Sequence, residues 1–254
     1  MTFATGLTAQ LTEHTSVYGS ISRGFRAPNL DDLAILGDFS AGDRIPSLDL
    51  DPEKVLNFEM GSKYATPAVR AGACAAAAFY QDLLENKFVF DDAGTDVFQV
   101  DNVSRARILS LEGWLECVVS ESHGTRPQHV VFTNAFWSVG RNMTDHEPVS
   151  KVPPAEATLG YRLEGVSDEW FAESDVRGAA RQNRLSAADQ ADPRFAEGGT
   201  PGWWTFNLRG GIDVAAGVRL SAALENVFNY RYRIHGSGID APGRNAVLSL
   251  DWRF

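Results

Sequence analysis

The sequence predicts an all-β fold, an antiparallel transmembrane β-barrel wall of about eleven strands. Three observations carry this. Apolar and polar residues alternate with period two in segment after segment, giving each strand one greasy and one wet face. The connections between those segments are alternately short and long. The chain also finishes on the strand NAVLSLDWRF, in which Ala246, Leu248, Leu250, Trp252 and Phe254 interleave with Asn245, Val247, Ser249, Asp251 and Arg253 up to the last residue.

In chain order, strands are predicted at 2–11 and 15–24, joined through EHTS. The third, 53–65, shows the alternation best: Leu56, Phe58, Met60, Ser62 and Tyr64 against Asn57, Glu59, Gly61 and Lys63. TPA turns it into 68–80, whose apolar run AGACAAAAFY falls well short of the roughly 18 residues of a membrane helix. Strands 103–118 and 129–140 flank ESHGTRPQ, and 155–164 and 169–182 flank GVSDE. The strand 202–213 turns at VAAG into 217–227, and 244–254 is last. Many of these spans approach the roughly 9–11 residues with which a tilted strand crosses a bilayer. The long connections cover 26–51, 81–102, 142–153, 184–202 and 229–243. Short turns at one end and long loops at the other characterise outer-membrane barrels. A soluble β-sandwich, which also has frequent turns, remains the alternative on pattern alone.

Composition narrows the function classes. The formal charge is −10 and the basic residues are dispersed singly, which argues against nucleic acid as a partner. The acids around Asp49, Asp51 and Glu53 and in DDAGTD lack calcium-loop spacing and read as solvated loops. Cys74 and Cys117 fall on opposite strand faces, so no disulfide is expected. The N-terminus has no basic or long apolar leader region, and Met1 falls where a strand is already under way. Charged residues such as Glu112, Glu116, Glu173, Asp175 and Arg177 keep to the faces opposite the apolar ones, as a wet barrel lumen allows. Trp170, Phe171, Trp203, Trp204, Tyr161 and Trp252 fall near strand ends, where aromatic girdles sit.

Several strings are more specific. SVYGSISRGFRAPNLDDL (16–33) followed by LDLDPEKVLNFEMGSKY (48–64) resembles the GFRAP…PE…N.E.G.K block of TonB-dependent outer-membrane receptors. KVPPAEATLGYR (151–162), AARQNRLSAADQADPRFAEGGTPGWWTFNLRGG (179–211) and ENVFNYRYRIHGSGIDAPGRNAVLSLDWRF (225–254) are similar to later parts of the same barrels, in the same order. The resemblance covers essentially the whole chain. It implies that residues 1–254 form the C-terminal part, about half, of a 22-stranded barrel whose plug domain and TonB-contacting segment are absent from this sequence. It implies an outer-membrane location, with lipid around the wall, and a partnership with the TonB complex made through the missing plug segment. It also gives the last strand a role: Leu250, Trp252 and Phe254 read as the signal recognised by the barrel-assembly machinery. Asn57, Glu59 and Lys63, with Arg23, are expected to face the lumen and the plug.

The implied function is transport rather than catalysis: TonB-energised uptake of a scarce solute, with a ferric siderophore leading. GxSxG, HExxH, Walker and dinucleotide motifs are all missing, and no cofactor is expected. His14, His123, His129, His146 and His235 show no common ligand spacing, so no metal site is expected either. Residues 25–53 contain no histidine, which disfavours the haem-ligating mode of related receptors. A chelated, anionic ligand needs aromatic and basic contacts. The expected ligand-binding residues on the long loops are Phe39, Arg44, Phe195, Tyr230, Arg231, Tyr232, Arg233 and His235. A passive porin-like channel would share the alternation and loop asymmetry without the GFRAP-to-PE block.

Overall fold

The computed structural model describes residues 1–39, 42–120 and 126–253. The chain forms β1 (Phe3–Gln10), β2 (Thr15–Arg26), the one-turn helix α1 (Leu30–Ala34), β3 (Gly37–Phe39), β4 (Gly42–Ile45) and β5 (Glu53–Ala65). It continues with β6 (Val69–Asp92), β7 (Thr95–Ser120), β8 (Gln128–Asn142), β9 (Glu156–Glu164), β10 (Trp170–Ala179), α2 (Ala187–Ala191), β11 (Trp203–Ala215), β12 (Val218–Glu225) and β13 (Asn245–Trp252). Eleven strands form one antiparallel meander in the order β1-β2-β5-β6-β7-β8-β9-β10-β11-β12-β13. The sheet is not closed: β1 and β13 each have one neighbour in it. β3 and β4 make a small hairpin whose second strand lies parallel to β7.

These eleven are the predicted strands, with one main difference. Residues 81–102, expected as a long loop, continue the β6/β7 hairpin as far as a tight turn between Asp92 and Thr95. The alternation of KFVF and VFQV carries on beyond the sheet proper, with one bulge between Phe88 and Phe90. Val97, Phe98 and Val100 are buried there, so the extension holds an apolar core of its own at the loop end. The two short helices were not expected. Each is a single capped turn, with Asn29 and Asp32, or Ser186 and Asp189, exchanging side-chain and backbone hydrogen bonds as a capping box.

Residues opposed across a ladder share a face, so the register separates two continuous surfaces. Phe58 opposes Ile21 and Ala77; Leu111 opposes Ala75 and Trp137; Leu159 opposes Thr133 and Val176; Leu220 opposes Ile212 and Leu250. This apolar face is bare: Leu7, Met60, Leu159 and Leu248 are 76%, 68%, 60% and 79% exposed. A sandwich would cover such a face with a second sheet, so the soluble alternative does not describe this chain.

The other face is polar and paired. Arg162 meets Glu116 at 3.2 Å, Glu164 at 2.6 Å and Glu173 at 3.5 Å, and Arg209 meets Glu173 at 3.1 Å and also Asp175. Asp175 accepts a 2.6 Å bond from the Asn207 amide as well. Arg70 pairs with Glu116, Arg177 with Glu156 and Arg219 with Asp213.

The same face accommodates its large rings over glycines. Tyr18 lies opposite Gly61, Trp114 opposite Gly72, Phe132 opposite Gly160 and Phe171 opposite Gly211. A Cβ added at any of these glycines would come within 2.1–2.6 Å of the facing ring. The missing side chain is what lets each ring lie flat along the wall.

Asn57, Glu59 and Lys63 fall on the polar face as expected. Arg23 does not: it opposes Leu56 and Phe3, which puts it on the apolar face with Ile21 and Phe25. The expectation grouped it with the charged residues of β5, whereas period two along β2 sets it with Ile21 and Phe25, and the β2/β5 register puts that row on the apolar face. Phe171 and Trp203, expected in a girdle, likewise turn to the polar face, whereas Trp204 is outward and half-exposed. Cys74 opposes Glu112 and Cys117 opposes Val69, so the two free thiols are on opposite faces. Phe254 and residues 121–125, where a short turn was expected, lie outside the described residues, and of Phe39 only the backbone is described.

Candidate functional site

The long connections gather at one end of the sheet, and a recess of about 360 Å³ opens among them between the segments 196–203 and 230–240. Trp203, Tyr230, Arg231, Tyr232, Arg233 and Asp240 line it. Trp203 begins β11 and opposes Ala179, and period two sends it to the polar face, where it is 6% exposed.

The segment after β12 is folded back onto β11 by Asn226. Its backbone N–H donates to Asn207 Oδ1 at 2.9 Å, its Oδ1 accepts from Tyr230 N at 2.8 Å, and its Nδ2 donates to Tyr230 O at 2.8 Å. Asn226 and Asn229 both adopt the left-handed conformation that asparagine tolerates better than most residues. The reversal brings the Tyr232 ring to 4.3 Å from Trp203 and stacks Tyr230 at 6.4 Å on Trp204. Arg177 completes the aromatic floor, its guanidinium 5.6 Å from the Trp203 ring.

The charges are unevenly matched. Arg231 and Arg233 both pair with Asp240, the latter at 3.2 Å. The Arg231 guanidinium, and then Arg233, hold the Asp240 carboxyl below the ordinary carboxylate range. Two cations against one anion leave the rim with a positive charge for an incoming anion.

Behind the recess, Phe195 packs at 4.7 Å on His235, whose Nδ1 is 2.8 Å from Thr200 Oγ1. Burial pushes the His235 imidazole below its usual pKa, against a smaller opposing pull from Asp189, so the ring is neutral at neutral pH. A second cluster ties three connections together. Ser150 donates its hydroxyl to Asp189 at 2.6 Å and its backbone N–H to Glu85 at 3.2 Å. Burial raises the Glu85 pKa, with Glu147, Asp189 and Asp145 adding to it and the Ser150 N–H opposing it.

Of the residues expected to bind ligand, Tyr230, Arg231, Tyr232 and Arg233 line the recess, and Phe195 and His235 support it from behind. Arg44 does not join them: it sits on β4, in register with Phe98 of β7. Trp203, Thr200 and Asp240 were missed. Strict alternation from Phe206 back to Trp204 would have turned Trp203 inward, whereas nothing in the sequence marked Asp240 as the shared partner of two arginines. Among the described residues, no group of three His, Cys, Asp or Glu side chains could hold a metal ion.

Comparisons with known proteins agree with this architecture. A family model described as TonB dependent receptor-like, beta-barrel matches residues 1–227. The copper transporter OprC superposes with a TM-score of 0.83 at 23% identity, covering 100% of this chain and 39% of that one. A variant of the ferric enterobactin receptor PfeA from Pseudomonas aeruginosa gives 0.73 at 19% identity, covering 98% and 39%. The siderophore receptor PirA from Acinetobacter baumannii gives 0.71 at 18% identity, covering 99% and 40%. The chain thus spans about two fifths of the length of these structures, and at such identities the likeness establishes the fold alone. No curated protein sequence matches significantly. The family-model match over nearly the whole chain, on an antiparallel wall of the kind those receptors share, means that this chain belongs to the TonB-dependent receptor family, as part of its β-barrel.

Proposed function

We propose that residues 1–254 are the C-terminal part of the barrel of an outer-membrane receptor that takes up a scarce, chelated solute with energy from TonB, a ferric siderophore being the leading ligand. The observation that carries the ligand class is the loop-end recess, lined by the aromatic residues Trp203, Tyr230 and Tyr232 and by Arg231 and Arg233, which outnumber Asp240. The planar rings of a catecholate siderophore suit an aromatic lining, and the anionic charge of its ferric chelate meets the surplus arginine. Phe195 and His235 stiffen the recess and leave the iron to its chelator.

In this reading the polar face is the lumen wall, with Asn57, Glu59 and Lys63 turned to the plug, and the apolar face meets lipid. Further strands from the rest of the receptor pair with β1 and β13, since an unpaired backbone group in lipid costs several kcal/mol. Leu250 and Trp252, outward on β13, together with Phe254, serve as the assembly signal.

Uptake of radiolabelled ferric siderophore by cells carrying the whole receptor tests this. Transport should occur with TonB present and cease on its deletion, while surface binding of the ligand persists. Transport that is indifferent to TonB would make the protein a passive channel instead.

A further inference from the structure

On the polar face, Arg70, Arg162, Arg177, Arg209 and Arg219 all meet carboxylates. The arginines of the apolar face differ. Arg107 of β7 stands directly opposite Arg141 of β8, and Arg105 lies two residues further along the same face of β7, with its carbonyl accepting from Met143 N at 2.8 Å. Arg107 is half-buried and the other two are exposed. None of the three makes an ion pair among the described residues. Asp101, nearer the tip on the same face of β7, is already paired with Lys87 at 3.6 Å.

Directly opposed like charges destabilise a ladder, so this triad calls for an anion from outside the chain. Arg23 extends the row: Arg23, Leu56, Phe79, Arg107 and Arg141 are successive register partners across β2, β5, β6, β7 and β8.

What lies beside the triad says what kind of anion. Leu109, two residues from Arg107, and Trp137, four from Arg141, line a trough of about 790 Å³ that runs over the alanine-rich β6 between Leu7, Met60 and Leu111. Alanine at 75 and 77, between larger neighbours on β5 and β7, makes the trough. Basic groups at the loop-side edge and an apolar groove beneath them match an amphiphile with an anionic head and hydrocarbon chains.

We propose that Arg105, Arg107 and Arg141 bind the phosphorylated headgroup of a lipid in the loop-side leaflet, whose acyl chains lie along the trough. Forked guanidiniums suit phosphate oxygens better than ammonium groups do. The inference rests on the apolar face meeting lipid.

The test is native mass spectrometry of the whole receptor, extracted in mild detergent and mixed with diphosphorylated lipid A or with the same lipid enzymatically dephosphorylated. The phosphorylated form should be retained and the dephosphorylated form lost. The triple variant R105Q/R107Q/R141Q should bind on the order of a hundredfold more weakly, at about one factor of five per arginine near an anionic surface. The R105K/R107K/R141K variant, which keeps the charge, should fall between the two.

Equal retention of both lipids by the wild type, which needs no variant to fold, would overturn the proposal. So would unchanged binding by a folded glutamine or lysine variant, or displacement of the lipid by millimolar inorganic phosphate, which would mark a site for the free ion. Membrane fractionation separates this from the underlying reading: a receptor found in the membrane that ignores the phosphate refutes only the lipid site.

Discussion

At the scale of single residues, the polar face is built from exact complements that alternation alone does not reveal. Gly160 is the sharpest case, since a Cβ there would lie 2.1 Å from the tip of the Phe132 ring. Gly160→Val should lower unfolding stability in detergent by about 1–3 kcal/mol, as overpacking does, and Phe132→Ala in the same chain should recover part of the loss. Arg209 serves a different need, holding Glu173 and a nearly fully buried Asp175. Arg209→Met should cost about 1–3 kcal/mol, the larger cost of a broken buried pair being reduced because Arg209 is itself partly exposed. Arg23→Leu, by contrast, should be neutral or mildly stabilising, because it replaces a cation on the apolar face that makes no ion pair among the described residues. Denaturant unfolding of the two arginine variants side by side checks the face assignment, and equal losses would contradict it.

At the scale of elements, the wall strands were legible and the loop structures were not. Strands such as β5 and β11 repeat one face pattern for a dozen residues, so period two finds them within a residue or two. The β6/β7 extension broke the expectation because its acids, Asp91, Asp92 and Asp96, looked like a solvated loop, although the apolar alternation continued underneath. Arg23 was misplaced because it was grouped with the charged residues of β5, although period two along β2 already sets it on one face with Ile21 and Phe25. The recess was half legible: NYRYRIH stands out as an aromatic and basic run, but its partners Trp203 and Asp240 reach it only through the Asn226 reversal.

That region also has a pH dependence with a definite sign. The folded state disfavours protonated His235, so its packing is fully stable above the unfolded imidazole pKa of about 6.5. Stability is lost as pH falls from there through the depressed folded value. Hydrogen exchange of the 195–200 and 230–240 segments should therefore quicken below about pH 6.5 in the wild type but not in His235→Phe. Glu85 works the other way, since its raised pKa favours the protonated carboxyl, so its contribution is lost as pH rises through the folded value.

At the scale of the molecule, one sheet divides two environments. Its polar face is laced with ion pairs and its apolar face lies open, an arrangement stable only where water wets one side and hydrocarbon the other. The proposed roles of the recess in ligand binding, of Asn57, Glu59 and Lys63 in facing a plug, and of Arg105, Arg107 and Arg141 in holding lipid all depend on that division. Four consecutive alanines on β6 test it with little perturbation: Ala75 and Ala77 oppose Leu111 and Leu109, whereas Ala76 and Ala78 oppose Ser110 and Ile108 on the other face. With Cys74 and Cys117 replaced by alanine, nitroxide labels on Ala75→Cys, Ala76→Cys, Ala77→Cys and Ala78→Cys can be read in outer-membrane vesicles containing the whole receptor. Labels at 75 and 77 should collide with oxygen dissolved in lipid, and those at 76 and 78 should be shielded from it. Uniform accessibility across the four positions, or the opposite alternation, would contradict a wall with lipid on its apolar side.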